Sequence, residues 1–207
     1  MVQRILSSHS LIKAKIAQLR DATSKASKFR LAVKEISLLL ATDASRDLPV
    51  EEIAIHTPLA DTVGFRLRDP IVIIPILRAG LGMAEAMLTL LPEARVGHLG
   101  MERDEKTHRP SSYYCKLPPD IGCSTVFLVD PMLATGHSAA DAADELKAHG
   151  AKTIRFVGII GSEPGLRHFN ERHPDIPVFL GAVDPELNEN AYIVPGLGDA
   201  GDRYFGT

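Results

Sequence analysis

The chain of 207 residues has only two cysteines, Cys115 and Cys123, which form neither a CxxC pair nor part of a framework. This spacing argues against a disulfide scaffold and suits a reducing compartment, so no structural disulfide is expected. Long apolar runs are also missing. The longest, Ile36 to Ala41 and Ile71 to Leu77, cannot span a bilayer, and the N-terminal MVQRILSSHSLIKAKIAQLR lacks a continuous apolar core of signal-peptide type. The expectation is a cytoplasmic protein with no membrane partner. Nor is there an excess of one charge: the formal net charge is -3 and both signs are mixed along the chain, which gives no reason to expect nucleic acid as a partner. A GxxxxGK[ST] sequence is absent, which argues against nucleoside triphosphate hydrolysis by a Walker loop. The chain also has no internal repeat, low-complexity tract or linker that would divide it into domains.

A hydrophobic fraction of 45% over 207 residues is enough for one substantial core, so a single domain over 1–207 is expected. Leu11 to Arg20 and Lys28 to Ala41 read as helices, the second with Phe29, Val33, Ile36 and Leu40 on one buried stripe. Both are read as preceding the first convincing strand. After a polar, proline-containing stretch, IVIIPIL at Ile71 to Leu77 has the unbroken β-branched character of a strand covered on both faces, with Pro75 the misfit in its later part. A helix from Leu81 to Leu91 follows, closed by Pro92. The cycle then repeats: strand Thr125 to Asp130, helix His137 to His149, strand Ile154 to Ile160, helix Pro164 to Arg172, strand Val178 to Ala182. Such alternation predicts an α/β fold, a mainly parallel sheet flanked by helices. Gly100 to Asp120, charged and punctuated by proline, breaks the alternation and reads as a long loop or a projecting two-stranded arm.

The most informative segment is VDPMLATGHS, Val129 to Ser138. A buried strand ends on an acid, a turn of small and hydroxyl residues follows, and an alanine-rich helix starts at once. Backbone N–H groups at a helix start, with the positive end of its dipole, favour an anion; Thr135 and Ser138 add hydroxyls and Gly136 allows close approach. The same turn also suits a plain N-cap by Thr135 or Ser138. Asp130 favours the anion site, because ligands of open parallel sheets gather outside the carboxyl ends of strands. The tail contains GxGxxG at Gly196, Gly198 and Gly201, but only six residues follow Gly201, too few for the helix and distal acid of a dinucleotide fingerprint.

The acid-ended strand with its ATG turn resembles the loop with which phosphoribosyltransferases bind phosphoribosyl pyrophosphate. PILRAGLGM at Pro75 to Met83, LNENAYIVPGLGDAGDRYFGT at Leu187 to Thr207, and Phe29-Arg30 in the N-terminal helix narrow the resemblance to uracil phosphoribosyltransferases over essentially the full chain. Asp130-Pro131 stands where most phosphoribosyltransferases have two adjacent acids, as in the uracil-specific members. The resemblance implies that uracil and phosphoribosyl pyrophosphate give UMP and pyrophosphate, with Mg2+ as cofactor. It also implies a homodimer or higher homo-oligomer and a GTP effector. By the same resemblance Ala134, Thr135, Gly136, His137 and Ser138 would hold the 5-phosphate and Asp130 the ribose hydroxyls, with Pro131, Met132 and Leu133 completing the phosphoribosyl pyrophosphate site. Arg78 and Arg103 would contact pyrophosphate, the second from an arm or lid near 100–120. In the base-binding segment 187–207, Ile193, Gly198, Asp199 and Ala200 would line uracil, and Asp199 would also face the metal and pyrophosphate. Asp199, Arg78 and Arg103 would then be the catalytic set. An alternative of another class is a pyrimidine-sensing regulatory protein of the same fold that binds RNA, which the scattered basic residues do not favour.

Two positions depart from the family pattern. His137 stands where a second glycine is common; it is expected to point to solvent from the helix start, although it forgoes the positive φ that glycine adopts cheaply. Glu102 stands where an aromatic residue is common. The segment GSEPG at Gly161 to Gly165 has no functional reading from sequence, and His168 and His173 are expected to be solvated.

Overall fold

The computed structural model describes residues 4–103 and 110–207, with side chains for all of these but 102, 103 and 110–112. The chain begins with strand β1 (Arg4–Leu6), then helices α1 (Ser10–Arg20) and α2 (Ala26–Ala44). A hairpin of β2 (Val50–His56) and β3 (Asp61–Leu67) precedes β4 (Ile71–Leu77) and α3 (Leu81–Leu90). Next come β5 (Arg95–Val96), β6 (His98–Arg103), β7 (Pro110–Lys116), β8 (Thr125–Val129), β9 (Met132–Leu133) and α4 (His137–Ala148). The last part holds β10 (Thr153–Ser162), α5 (Glu163–Arg172), β11 (Val178–Asp184), β12 (Glu186–Leu187), β13 (Ile193–Val194) and α6 (Ala200–Phe205).

The main sheet runs β1-β11-β10-β8-β4-β6-β7, with β5 beside β4 and β9 beside β10. All its pairings are parallel except β6 with β7. The expected mainly parallel sheet flanked by helices is therefore what forms. Its central strands are buried on both faces, and successive residues feed two separate cores. In β8, Phe127 and Val129 pack with α1, α2 and α3, whereas Val126 and Leu128 pack with α4 and α5. The predicted stripe of α2 is buried, and Ser37 sits within it because its hydroxyl donates to the Val33 carbonyl at 2.7 Å. Alanines 139, 140, 142 and 143 let α4 lie close against the sheet.

Three features differ from the sequence reading. β1 precedes both N-terminal helices, as a three-residue edge strand on β11 too short to show a pattern. Residues 50–67, in the stretch read only as polar and proline-containing, form a regular hairpin outside the main sheet, exposing Val50, Ile55, Val63, Phe65 and Leu67. Their alternation carries no burial signal because neither face is covered in the chain itself. The third difference is Pro75, which lies inside a strand paired on both sides: β4 bonds β8 through Ile71 to Pro75, and β6 through Ile76 and Leu77. Of the two readings of Gly100 to Asp120, a long loop or a two-stranded arm, the described residues take the second, β6 pairing antiparallel with β7.

Candidate active site

The topology itself locates a crevice. After β4 the chain moves outward to β5 and β6, and after β8 it moves the opposite way to β10 and β11, so the strand order reverses between neighbours β4 and β8. Ligands of open α/β sheets bind at such a reversal, outside the carboxyl ends of the strands. There β4 delivers Leu77 and Arg78, β8 delivers Asp130, and the C-terminal segment closes over them.

A cleft of about 430 Å3 lies at this place, a volume suited to a small ligand. Asp130, Met132, Ala134 and Ser138 line it from the loop, and Ile193, Gly198, Asp199 and Ala200 from the tail. Two further clefts, about 490 and 540 Å3, lie beside β1 and at the base of the β2–β3 hairpin, and gather none of the residues singled out by the sequence. Volume alone would not choose among the three; the chemistry of the lining does.

The loop is built from local rules. Asp130 precedes a proline, which disfavours helical backbone there and carries the strand direction past Val129. Its Oδ1 accepts the Met132 N–H at 3.1 Å, which orients the carboxylate at the cleft. Gly136 is the N-cap of α4 with φ of 81°, and no side chain caps the helix, so neither Thr135 nor Ser138 serves as its N-cap. A Cβ at Gly136 would also stand 2.4 Å from the Gly165 carbonyl oxygen. The demand for positive φ thus falls on Gly136, and His137 begins the helix without it. His137 is exposed, as expected, and its ring stacks on His168 with centroids 4.1 Å apart. Pro131, Leu133, Thr135, Gly136 and His137 form the loop backbone and surroundings without lining the cleft.

GSEPG, opaque in sequence, buttresses this loop. The fully buried Ser162 donates to the Ala134 carbonyl at 2.5 Å and accepts the Gly165 N–H at 2.9 Å as the N-cap of α5. A [ST]-to-backbone cap is visible in sequence; its reach to Ala134 is not. His173, expected in solvent, is instead buried: Nε2 donates to the Ala140 carbonyl and Nδ1 accepts from Lys147 Nζ. These bonds satisfy both ring nitrogens at the end of α5, which is why the ring tolerates burial. His168 is half-buried.

Arg78 extends away from the cleft lining. Its side chain is largely exposed, 3.3 Å from Asp202 and over the Phe205 ring. The Leu77–Arg78 peptide is cis. Asp199 is exposed at the cleft and its Oδ1 accepts the Asp202 N–H at 2.9 Å, capping α6. The side chains of Glu102 and Arg103 lie outside the described residues.

The tail is held by contacts that sequence reading missed. Arg20, at the end of α1, pairs with Asp184 through two 2.7 Å bonds and donates to the Gly196 carbonyl at 2.9 Å. The Gly196 N–H returns to Asp184 at 3.0 Å. Arg203 donates to the carbonyls of Leu19, Leu197 and Asp21 while its guanidinium covers the Phe29 ring, and Arg30 donates to the Tyr204 carbonyl at 2.8 Å. The Phe29-Arg30 pair therefore anchors the tail. Asn188 folds the loop before it by accepting N–H bonds from Asn190 and Tyr192, placing Asn190, Ala191 and Tyr192 in the cleft wall. Gly198 has φ of 77°, and a Cβ there would meet only the Arg203 stem, so its backbone conformation rather than space calls for glycine.

The arrangement joins a helix start without a side-chain cap and an acid to a wall that includes glycines, which suits a phosphorylated sugar beside a small flat base. Comparison with known proteins agrees. The family model described as uracil phosphoribosyltransferase matches residues 6–207. Uracil phosphoribosyltransferases of Streptococcus pyogenes and Acholeplasma laidlawii are 51% and 48% identical, over 97% and 100% of this chain and 96% and 100% of theirs. Among solved structures, the AQ2163 protein from Aquifex aeolicus superposes with a TM-score of 0.94 at 37% identity, over 99% of both chains. A hypoxanthine-guanine phosphoribosyltransferase from Bacillus anthracis shares the fold, with a TM-score of 0.51 at 15% identity, over 75% of this chain and 79% of that one. With its cleft at the β4–β8 reversal and relatives matched from end to end, the chain belongs to the uracil phosphoribosyltransferase family.

Proposed function

We propose that the chain transfers the 5-phosphoribosyl group of phosphoribosyl pyrophosphate to uracil, giving UMP and pyrophosphate. The observation that carries this reading is the single cleft shared by the Asp130–Ser138 loop and the glycine-rich tail. At its edge the N-terminal turn of α4 binds the 5-phosphate through backbone N–H groups and the hydroxyls of Thr135 and Ser138, of which Ser138 lines the cleft. Asp130 accepts from the ribose hydroxyls, and Pro131, Met132 and Leu133 hold that register. Uracil presents an acceptor, a donor and an acceptor along one edge, which the main chain around Ile193, Gly198 and Ala200 matches without intruding side chains. A carbonyl accepting from the base N3–H discriminates against cytosine, whose N3 carries no proton; an unpaired buried polar group costs about 1–3 kcal/mol.

Bond breaking at the anomeric carbon leaves oxocarbenium-like charge on the sugar and negative charge on pyrophosphate. Catalysis therefore rests on positioning and on positive groups at the leaving group, and needs no nucleophilic side chain. Arg78 and Arg103 take that role, with Arg103 brought in by the arm as a lid. For Arg78 this means exchanging its long contact with Asp202 for the pyrophosphate. Asp199 fits Mg2+: it is an exposed carboxylate at the cleft whose Oδ1 alone is used as a cap, and magnesium takes one or two carboxylates beside substrate phosphates. When bound, the ion neutralises charge on the departing pyrophosphate. The apolar exposed face of the β2–β3 hairpin supports assembly as a homo-oligomer. GTP as an effector rests on the family resemblance alone.

The test is incubation with phosphoribosyl pyrophosphate, Mg2+ and, separately, uracil, cytosine, hypoxanthine or adenine, with and without GTP, reading nucleotide formation. UMP is the expected product; its absence, or preference for another base, refutes the reading.

A further inference from the structure

Cys115, Glu145 and His149 meet on the outer face of α4, on the side of the molecule where the arm strand β7 packs against that helix. Glu145 lies on α4 and His149 is its C-cap, its N–H still bonded to the Glu145 carbonyl, so the two share a face. Taken alone they are an ordinary surface pair, with His149 Nδ1 at 3.5 Å from the carboxylate. The third group changes the chemistry. Cys115 comes from a different element, and one donor atom from each residue lies within 4.8 Å of the other two. Among the described residues this is the one group of three histidine, cysteine or acidic side chains so gathered.

We propose that these three side chains bind a thiophilic divalent cation of the zinc type and so join the arm strand to the helix that opens with the 5-phosphate loop. A tetrahedral zinc ion, with bonds of about 2.3 Å to sulfur and about 2.0–2.2 Å to nitrogen and oxygen, needs donors roughly 3.5 Å apart. A set gathered within 4.8 Å closes to that spacing by rotation of side chains that are exposed or half-buried. The imidazole Nδ1 lies 2.9 Å from the Glu145 carbonyl, to which it donates, so in the proposed site the ion takes Nε2. A backbone carbonyl on the other ring nitrogen is the usual outer partner of a metal-bound histidine. Three protein donors leave the fourth position to water.

The donor set also sets selectivity. One thiolate, one imidazole and one carboxylate favour zinc-like ions over magnesium or calcium, which prefer oxygen alone. Binding exchanges the thiol proton for the ion, so one proton leaves for each ion bound. Both cysteines are free and exposed, so Cys115 is accessible to an ion and Cys123, outside the cluster, serves as its control.

The direct test is titration of the reduced full chain with Co2+, followed through the thiolate-to-cobalt charge-transfer band. One equivalent of ion should produce the band, Cys115→Ser should abolish it, and Cys123→Ser should leave it intact. Zn2+ should displace the cobalt, while excess Mg2+ should not. His149→Ala should weaken binding at least about tenfold, a loss of ligand being no milder than the loss of an outer partner. All the substituted positions are exposed, and circular dichroism of each variant verifies the fold. No band, a band that survives Cys115→Ser, or equal affinity in His149→Ala overturns the proposal. These readouts are independent of turnover, so they succeed or fail apart from the transferase reading.

Discussion

Replacing Arg20 with alanine removes the two 2.7 Å bonds to Asp184 and the 2.9 Å bond to the Gly196 carbonyl, and leaves the Asp184 carboxylate in a site where its side chain is 7% exposed. Stranding one member of a buried ion pair costs about 3–5 kcal/mol, and the 26% exposure of Arg20 itself places this case near the lower end, about 3 kcal/mol. For a chain of this size each kcal/mol corresponds to roughly 2–4 °C, so thermal unfolding should begin about 6–12 °C earlier. The pair holds the turn between Ile193 and Gly198, so the surviving enzyme should show a raised KM for uracil with a much smaller change for phosphoribosyl pyrophosphate. Differential scanning calorimetry and steady-state kinetics of Arg20→Ala, Asp184→Ala and the double variant give the answer. The double variant should lose less than the sum of the singles, because it strands neither charge. Additive losses, or a uracil KM unchanged in Arg20→Ala, would refute the idea that this pair positions the base site.

Other perturbations separate the remaining roles. Asp199→Asn keeps an oxygen to cap α6 and removes the charge, so turnover should collapse with little change in Tm, whereas a near-normal rate would exclude Asp199 from the metal and pyrophosphate site. His137→Gly should alter the KM for phosphoribosyl pyrophosphate by less than about tenfold, the equivalent of 1.4 kcal/mol, since the exposed ring stacks on His168 outside the cleft; a larger loss would make it a ligand. Ser162→Ala strands the buried Gly165 N–H, frees the Ala134 carbonyl and should cost about 1–3 kcal/mol, with a weakened phosphoribosyl pyrophosphate KM if the loop relaxes, measured by urea unfolding and kinetics. The hydrogen bond from Arg155 holds the Asp47 carboxyl below its usual value of 3.8. A depressed carboxyl pKa contributes stability above the unfolded value that is lost as pH falls through the folded one. Asp47→Asn should therefore be less stable than the parent at neutral pH and converge with it below that value; a constant difference at all pH would contradict the linkage.

Much of the loop side of the cleft was legible because its residues lie close together in the chain. The strand, acid, small turn and helix of Val129 to Ser138 are consecutive, so local backbone rules suffice to build the cradle, and Gly136 supplies the one positive φ it needs. Buried strands were legible from unbroken apolar runs, since β4, β8 and β10 are covered on both faces. The β2–β3 hairpin was not, because its apolar residues meet nothing in the chain that could impose a pattern. His173 was misread for the converse reason: its polar character suggests solvent, but two distant groups satisfy its ring in the core.

By itself the sequence determined the alternating α/β architecture from β4 onward and the acid-ended strand, small turn and helix of the 129–138 loop, all properties carried by neighbours along the chain or by a period of 2 or 3.6 residues. Only the tertiary structure decided how the tail and the loop are held. Arg20 and Asp184 are 164 residues apart, Arg203 and Leu19 are 184 apart, and Ser162 and Ala134 are 28 apart. No local rule selects among the many arginines and carboxylates that could pair in this way. Folding selects these, because α1 and α2 pack on the sheet face over which the tail closes, leaving a buried carboxylate and bare carbonyls that the guanidinium groups of Arg20 and Arg203 help to satisfy.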